Sequence, residues 1–376
     1  MAQNEYQWSV RPLSDAMALW DTPDLIFATP QGANWVQGYA HSVNPGTIVI
    51  VAMRGGAVQF FLPLEVVHKA TLAAARFPSG SHANENFAPA TRYFCENPPL
   101  DIAKEIIAAA RAARPDIDLI ALERLLPSID GLANPLVVTN STTSPNVALS
   151  FKLEKDFTTL LAKHNGPKRL KKMRQMDRRM QDRGGWRFMK AANVEEVNRL
   201  LDAFFTLKSA RLKEMGVKDV FRDVDVRCFF KDLFGKGLTT HEHEVFGLEV
   251  GGDIVAVAGC SVRGGQITAE FGGITAADRQ LSPGDILYHK LIEDSCNRGF
   301  ETFNFGVGDE FYKRRWCDME LWHFDTALPL TLKGSAAALT WRGVASVKRS
   351  IKSNQKLFAV IKKLRGLNKA APAESE

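Results

Sequence analysis

The sequence predicts an α/β (α+β) protein built from two similar halves, each a mixed central sheet flanked by helices. Three observations predict this class. First, V-F-G-L-E-V-G-G-D-I-V-A-V-A-G-C and G-G-Q-I-T-A-E-F-G-G-I-T, running on from Val245, read as three β-type runs joined by Gly-Gly turns. Second, these runs lead into an amphipathic helix, L-S-P-G-D-I-L-Y-H-K-L-I-E-D-S-C-N-R-G-F, and then a strand, F-N-F-G. Third, the first half repeats that coarse order. Its A-A-A-R-A-A-R-P-D-I-D-L-I-A-L stands beside E-D-S-C-N-R-G-F-E-T-F-N-F in the second half, an internal duplication of structure without letter-by-letter identity. A chain of 376 residues has room for two domains. The expected division is an N-terminal domain over 1–150, a C-terminal domain over 151–330 and a basic amphipathic tail over 331–376.

Taken in order, S-D-A-M-A-L-W from Ser14 has an N-cap serine before an apolar stripe and predicts a short helix. T-I-V-I-V-A-M-R, a G-G turn and A-V-Q-F-F-L-P-L predict a hairpin from Thr47. A loop of turn formers follows, F-P-S-G-S-H-A-N-E-N-F-A-P, containing His82, Asn84, Glu85 and Asn86. It is a turn by composition, and it would also serve as one wall of an acceptor pocket. Asp101 to Arg114 predicts a helix bounded by prolines, I-D-L-I-A-L-E-R-L a buried strand, and N-V-A-L-S-F-K-L another. Lys163 to Arg183 is a basic helix with nine basic residues against two acidic, stopped by Gly184-Gly185. The strand W-R-F-M-K, a long helix over Glu195–Met215 and a second helix at F-R-D-V-D-V-R-C-F-F-K-D-L-F lead back to Val245. Past Thr331 the basic residues continue without an acidic one as far as Leu367. Val347, Ile351, Leu357, Phe358, Ile361 and Leu364 recur there at roughly helical spacing.

Composition narrows the function classes. Residues 1–150 carry a net charge of −4 and residues 151–376 a net of +10, so the second half expects an anionic partner: a phosphorylated cofactor, a membrane surface or a nucleic acid. Five widely spaced cysteines with no C-x-x-C pair form neither a disulfide framework nor a zinc pattern and fit a reducing compartment. His241-Glu242-His243 is not the H-E-x-x-H spacing of a zinc site, so no metal is expected. The start of the chain lacks a basic region followed by an apolar one, and no apolar run reaches bilayer length. The expected location is cytoplasmic.

The helix opening at Ser282 carries the first candidate site. Ser282 is the expected N-cap, Pro283 the first helical residue, and Asp285 completes an S-x-x-D box. Amides at Gly284 and Asp285 would meet a pyrophosphate there, with Arg279 as counter-charge. A well-capped helix with no ligand explains the same residues.

This hairpin-and-helix run, the strand F-N-F-G and above all G-D-E-F-Y-K-R-R-W (Gly308 to Trp316) resemble GNAT acetyltransferases of the CelD type. Those are associated with cellulose and exopolysaccharide biosynthesis, and they resemble Fem-type peptidoglycan ligases in having two GNAT-like halves. The basic helix and F-F-T-L-K-S-A-R-L-K-E-M-G share the resemblance, which covers about residues 150–325 and is weaker in the first half. It implies two tandem GNAT-like acyl-CoA N-acyltransferase domains, with acetyl-CoA or another acyl-CoA as donor and an amine or sugar-linked acceptor. The family's phosphate loop, an arginine followed by two closely spaced glycines, is reduced here to Arg279 and Gly284, and Pro283 removes one amide. An aminoacyl-tRNA donor, as in the Fem relatives, and a non-catalytic accessory to a polysaccharide synthase stay open beside it.

Direct transfer of this kind needs a polarised thioester, a neutral amine and a proton donor for the leaving thiolate. A strand amide in A-E-F-G-G-I would polarise the carbonyl. Glu270 is then the expected base and Tyr312 the expected acid. Asp309 either caps a short helix or holds the acceptor amine, and Lys313 is assigned to the cofactor phosphates or to a carboxylate. The helix over 163–183 either packs as a solvated face or binds phosphates of CoA or RNA, and the tail either packs on its own domain or lies on an anionic membrane surface.

Overall fold

The structure, a computed structural model, describes residues 6–164, 166–276 and 281–353. The first half contains β1 (Gln7–Pro12), β2 (Leu25–Ile26), α1 (Ala33–Ser42), β3 (Ile48–Arg54), β4 (Ala57–Lys69), β5 (Leu72–Arg76), β6 (Ala90–Thr91), α2 (Arg92–Glu96), α3 (Ile102–Ala113), β7 (Leu119–Leu125), β8 (Ser128–Ile129) and β9 (Leu132–Ala133). The chain then passes through β10 (Thr142–Lys152) to α4 (Phe157–Lys163), α5 (Gly166–Gln181), β11 (Trp186–Lys190), α6 (Val194–Met215), α7 (Val224–Thr240), β12 (His243–Val250), β13 (Asp253–Arg263) and β14 (Gln266–Ile274). It closes with α8 (Pro283–Asn297), β15 (Thr302–Val307), α9 (Phe311–Arg314), β16 (Met319–Pro329) and α10 (Leu332–Ser353).

One mixed sheet runs through both halves in the order β1-β3-β4-β5-β7-β16-β10-β15-β14-β13-β12-β11. The order reads alike from either end. In the first half an antiparallel run ends in the parallel pair β5/β7, and in the second half another ends in the parallel pair β14/β15. The duplication seen in the sequence is therefore a duplication of topology. Its last strands are exchanged. β10, the next strand of this sheet after β7 in the chain, pairs with β15, while β16 from the end of the second half pairs with β7. β10 and β16 pair antiparallel with each other and form the seam.

Local chemistry explains the hairpins. Gly55-Gly56 and Gly251-Gly252 all have positive φ, the conformation that two-residue turns between twisted strands require. Buried aromatic side chains also join the halves: Trp35 and Tyr39 of α1 pack edge-on against Phe229 of α7, at centroid distances of 5.7 and 5.2 Å.

Two expectations need correction, and the structure adds the placement of H-E-H. The segment after Pro12 is a 3-10 helix, Leu13–Asp21, and Ser14 bonds the Asp15 carboxylate instead of capping it. The basic stretch is divided, with Lys163 ending α4 and α5 beginning at Gly166. His241 terminates α7 in a left-handed conformation and His243 opens β12, so H-E-H lies across a helix-to-strand junction.

Candidate active site

β14 and β15 stay parallel for three residue pairs, Gln266–Thr302 to Thr268–Asn304, and then diverge. At the divergence β14 carries a bulge: Gly259 faces Phe271 and Cys260 faces Ala269, so Glu270 has no opposite residue. A bulge leaves one residue outside the ladder and re-aims its side chain. Between the separating strands lies a cleft of about 710 Å3, walled by the end of α6, the start of α8 and the α9 segment.

Glu270 is buried at the root of this cleft. Ser261 Oγ donates to its Oε1 at 2.6 Å, and Asn84 Nδ2 donates to its Oε2 at 2.7 Å and to its main-chain oxygen at 2.8 Å. Burial raises its pKa above the usual carboxylate range, and the Ser261 and Asn84 hydrogen bonds and the Arg124 charge partly offset that rise. Glu85, also buried, accepts from Asn304 Nδ2 at 3.3 Å. Burial first, and then the neighbouring Glu270 charge, push Glu85 up to about 8.

Tyr312 faces the same cleft and stacks on Tyr288 with ring centroids 5.6 Å apart. The two phenols are hydrogen-bonded, and burial raises both above the usual range. Both are neutral proton donors at physiological pH. Lys208 of α6 lies over β14, its Nζ 3.4 Å from the Gly272 oxygen, with its pKa lowered by burial.

The start of α8 differs from the expected cap. Ser282 occupies the N-cap position at φ +46° without a side-chain cap hydrogen bond. Asp285 completes no box because Lys172 of α5 and Arg315 hold its carboxylate, while its amide donates to the Ser282 oxygen at 2.9 Å. Gly284 lets the helix approach β14, since a Cβ there would stand 3.3 Å from the Ile274 side chain. Arg279 lies outside the described residues.

In the motif segment, Lys313 is buried, with Nζ 3.1 Å from the Val307 oxygen and 2.9 Å from the Glu310 carboxylate. It ties α9 to the end of β15. The N-cap position of α9 is Glu310 rather than Asp309. Asp309 lies outside the cleft lining, its carboxylate bonded by Arg314 at 2.6 and 3.0 Å. Trp316 packs on Phe151 and carries the Arg169 guanidinium 3.7 Å above its ring. The basic helix is thus joined to the motif by stacking as well as by charge.

Glu270, Tyr312, Ser282, Gly284, Asp285 and Lys313 therefore share one cleft. Asn84, from the loop expected either as a plain turn or as one wall of an acceptor pocket, shares it too, as do Lys208, Arg211 and Tyr288, which the sequence did not single out. The helical spacing of Lys208, Arg211, Leu212 and Met215 was a readable signal for one face of α6. Nothing in the sequence brings Asn84 beside Glu270. Chemically, the cleft combines a buried carboxylate, two neutral phenols and a lining that includes Arg211 and Arg315, with Lys172 reaching the Asp285 carboxylate. That arrangement suits an anionic ligand whose reacting end reaches the strand divergence.

Residues 167–314 match the family model described as the acetyltransferase (GNAT) domain. Among solved structures, FemX aligns with a TM-score of 0.52 and 12% identity over 89% of this chain and 99% of that one. A conserved protein of unknown function from Bacteroides thetaiotaomicron VPI-5482 aligns with a TM-score of 0.51 and 9% identity, over 84% and 96% of the two chains. A tandem GNAT protein from the clavulanic acid biosynthesis pathway aligns at 0.49 and 13% identity, over 87% and 99%. No curated protein matches the sequence.

Proposed function

We propose, from the GNAT domain matched in residues 167–314, that this chain moves an acetyl or longer acyl group from acyl-CoA to an amine or sugar-linked acceptor. The observation that carries the reading is the divergence of β14 from β15 beside the Glu270 bulge, with Tyr312 across the same cleft. The donor's thioester lies between the separated strands and its phosphates lie at the α8 mouth near Lys172 and Arg315. Glu270 accepts the acceptor's proton. The amine nitrogen attacks the thioester carbon, the C–S bond breaks, and Tyr312 gives a proton to the departing sulfur. Asp309, paired with Arg314 outside the lining, is proposed to hold the motif segment in place, and Lys313 to fix the α9 turn beside Tyr312. Arg279 completes the phosphate site. Polysaccharide or cell-envelope biosynthesis of the CelD type is the proposed setting.

A second reading keeps the fold and changes the donor to an aminoacyl-tRNA. The observation favouring it is that Lys168, Lys171, Arg174 and Arg178 lie exposed along α5. Thermal-shift titrations with acetyl-CoA, a long-chain acyl-CoA and tRNA separate the two, because a ligand bound by the folded state alone raises apparent stability. Acyl-CoA at a hundredfold excess over its Kd should stabilise the fold by about 2.7 kcal/mol. A shift with tRNA alone transfers the assignment to the second reading. No shift with any donor leaves the non-catalytic accessory role.

The proposed location is the cytoplasmic side of a membrane, held there by α10. Among the described residues no helix is long and apolar enough to cross a membrane. The face of α10 turned away from the sheet nonetheless exposes Leu332, Leu339 and Val347 in a segment without acidic residues.

A further inference from the structure

The two halves share a topology but not an open cleft. In the first half the place between β5 and β7 is filled by the chain itself. After Arg76 the backbone turns back, and Asn86 forms a parallel bridge with Leu125, donating its amide to the Arg124 oxygen and accepting from the Leu126 amide. The Asn86 side chain donates to the Glu123 oxygen at 2.8 Å and accepts from Gln31 at 2.8 Å. Ala83, Phe87 and Ala88 are buried around it. At the start of α3, the helix that corresponds to α8, the Asp101 carboxylate already accepts the Lys104 amide. A ligand in the first half would have to displace its own backbone.

The same filling segment projects one side chain into the second half. Asn84 bridges the strands at the point where they part: Nδ2 donates to both the main-chain and side-chain oxygens of Glu270, and Oδ1 accepts from the Val307 amide at 3.3 Å. β15 makes room for it. Gly306 has φ +67°, and a Cβ there would stand 3.0 Å from both the Ala269 oxygen and the Asn84 side chain.

We propose that Asn84 is a positioning residue for Glu270, supplied across the seam by a half whose own cleft is filled, so that the chain holds a single acyl-donor site. This rests on the acyl-transfer reading for the donor, but the Asn84–Glu270 relation stands without it. Asn84 fixes the carboxylate and the bulge together, so the orientation of the base and the width of the strand opening are set by one amide. The charged and titratable groups around Glu270 are Glu85 from the same loop, Arg124 of β7 and Cys260 of β13, with Arg263 acting on Glu85. Loss of the Asn84 donors removes a contribution that favours the ionised carboxylate, so its titration must move to higher pH.

The test compares full-length wild type with Asn84→Ala and Asn84→Asp. Carbon-13 NMR of labelled glutamate follows the Glu270 carboxyl, assigned with Glu270→Gln, and calorimetry counts acetyl-CoA bound per chain. The expected results are one acetyl-CoA per chain, an upward shift of the Glu270 titration in both variants, and an acid limb of turnover that moves with it. Turnover near neutral pH should fall on the order of tenfold to a hundredfold, with acetyl-CoA affinity kept. An unchanged Glu270 titration in a variant whose melting temperature and amide spectrum match wild type overturns the positioning role. Two acetyl-CoA per chain overturn the single site. If no acetyl-CoA binds at all, the donor reading and the single acyl-donor site both fail, while the carboxyl titration still decides the Asn84–Glu270 relation.

Discussion

Glu270 and Tyr312 set opposite demands on one cleft. A base must lose its proton where burial resists ionisation, and an acid must keep its proton close to the departing sulfur. Ser261 and Asn84 answer the first demand by donating to the carboxylate. Burial of the Tyr312 phenol answers the second, against the opposing effect of its hydrogen bond with Tyr288. Glu270→Gln and Tyr312→Phe should each lower acetyl transfer by about 10²–10⁴-fold while acetyl-CoA binding is retained, measured as single-turnover rates beside calorimetric affinity. Rates equal to wild type would remove these roles. Glu85 gives a separate expectation about stability. Its folded pKa of about 8 lies above that of an unfolded glutamate, so its contribution is complete at low pH and is lost as pH rises through 8. Glu85→Gln should therefore flatten the fall in melting temperature between about pH 4.5 and 8. A curve parallel to wild type would place the Glu85 proton elsewhere.

At the scale of the element, α10 shows how one helix divides its faces. Ala338 packs on Leu119 and Ala327, and Gly334 lies so close to the Asp118 carbonyl that a Cβ would stand 1.8 Å from its oxygen. Thr331 Oγ1 and Lys333 Nζ fix the helix start on the Asp118 carboxylate at 2.8 and 2.9 Å. The opposite face exposes Leu332, Leu339 and Val347, in a helix whose charged residues are all basic. Exposed apolar residues on a helix with basic and no acidic residues suit an anionic interface. Wild-type protein should sediment with phosphatidylglycerol vesicles and not with phosphatidylcholine, less so in high salt, and Leu339→Glu with Val347→Glu should abolish it. Sedimentation indifferent to lipid charge, or none, would refute the proposed location.

For the whole molecule, the exchange of β10 and β16 decides what can fold. Each half's parallel pair is completed by a strand from beyond its own compact stretch of chain. A fragment of residues 153–376 would lack β10, leaving the inner edges of β15 and β16 without partners and exposing their buried faces. We expect that fragment to be insoluble or to melt without cooperativity by circular dichroism, and addition of residues 1–152 to restore a cooperative transition. A fragment that melts cooperatively by itself would show the halves to be independent. The seam also explains how a loop of the first half reaches Glu270, because the exchange brings the loop and β14 to the same part of the sheet.

Much of this protein was legible in its sequence because the signals are local. Gly-Gly pairs between β-type runs dictate the hairpins, since few other residues take both turn positions. Asp101, Asn193 and Asp223 mark the starts of α3, α6 and α7 by accepting a backbone amide within their own first turns. Glu270 and Tyr312 were legible as chemical types in a motif-bearing segment, and the structure places them in one cleft. Ser282 holds the expected N-cap position before Pro283, but the box with Asp285 was misread because the fate of Asp285 depends on Lys172 and Arg315, which lie 113 and 30 residues away. Asn84 was legible only as part of a loop that would wall an acceptor pocket, and its hold on Glu270 was not, because the two stand 186 residues apart. Local sequence determined the elements and their ends through backbone conformation and short-range hydrogen bonds. The strand exchange, the filled first cleft and the environment of Glu270 are long-range pairings, and only the tertiary structure decided them.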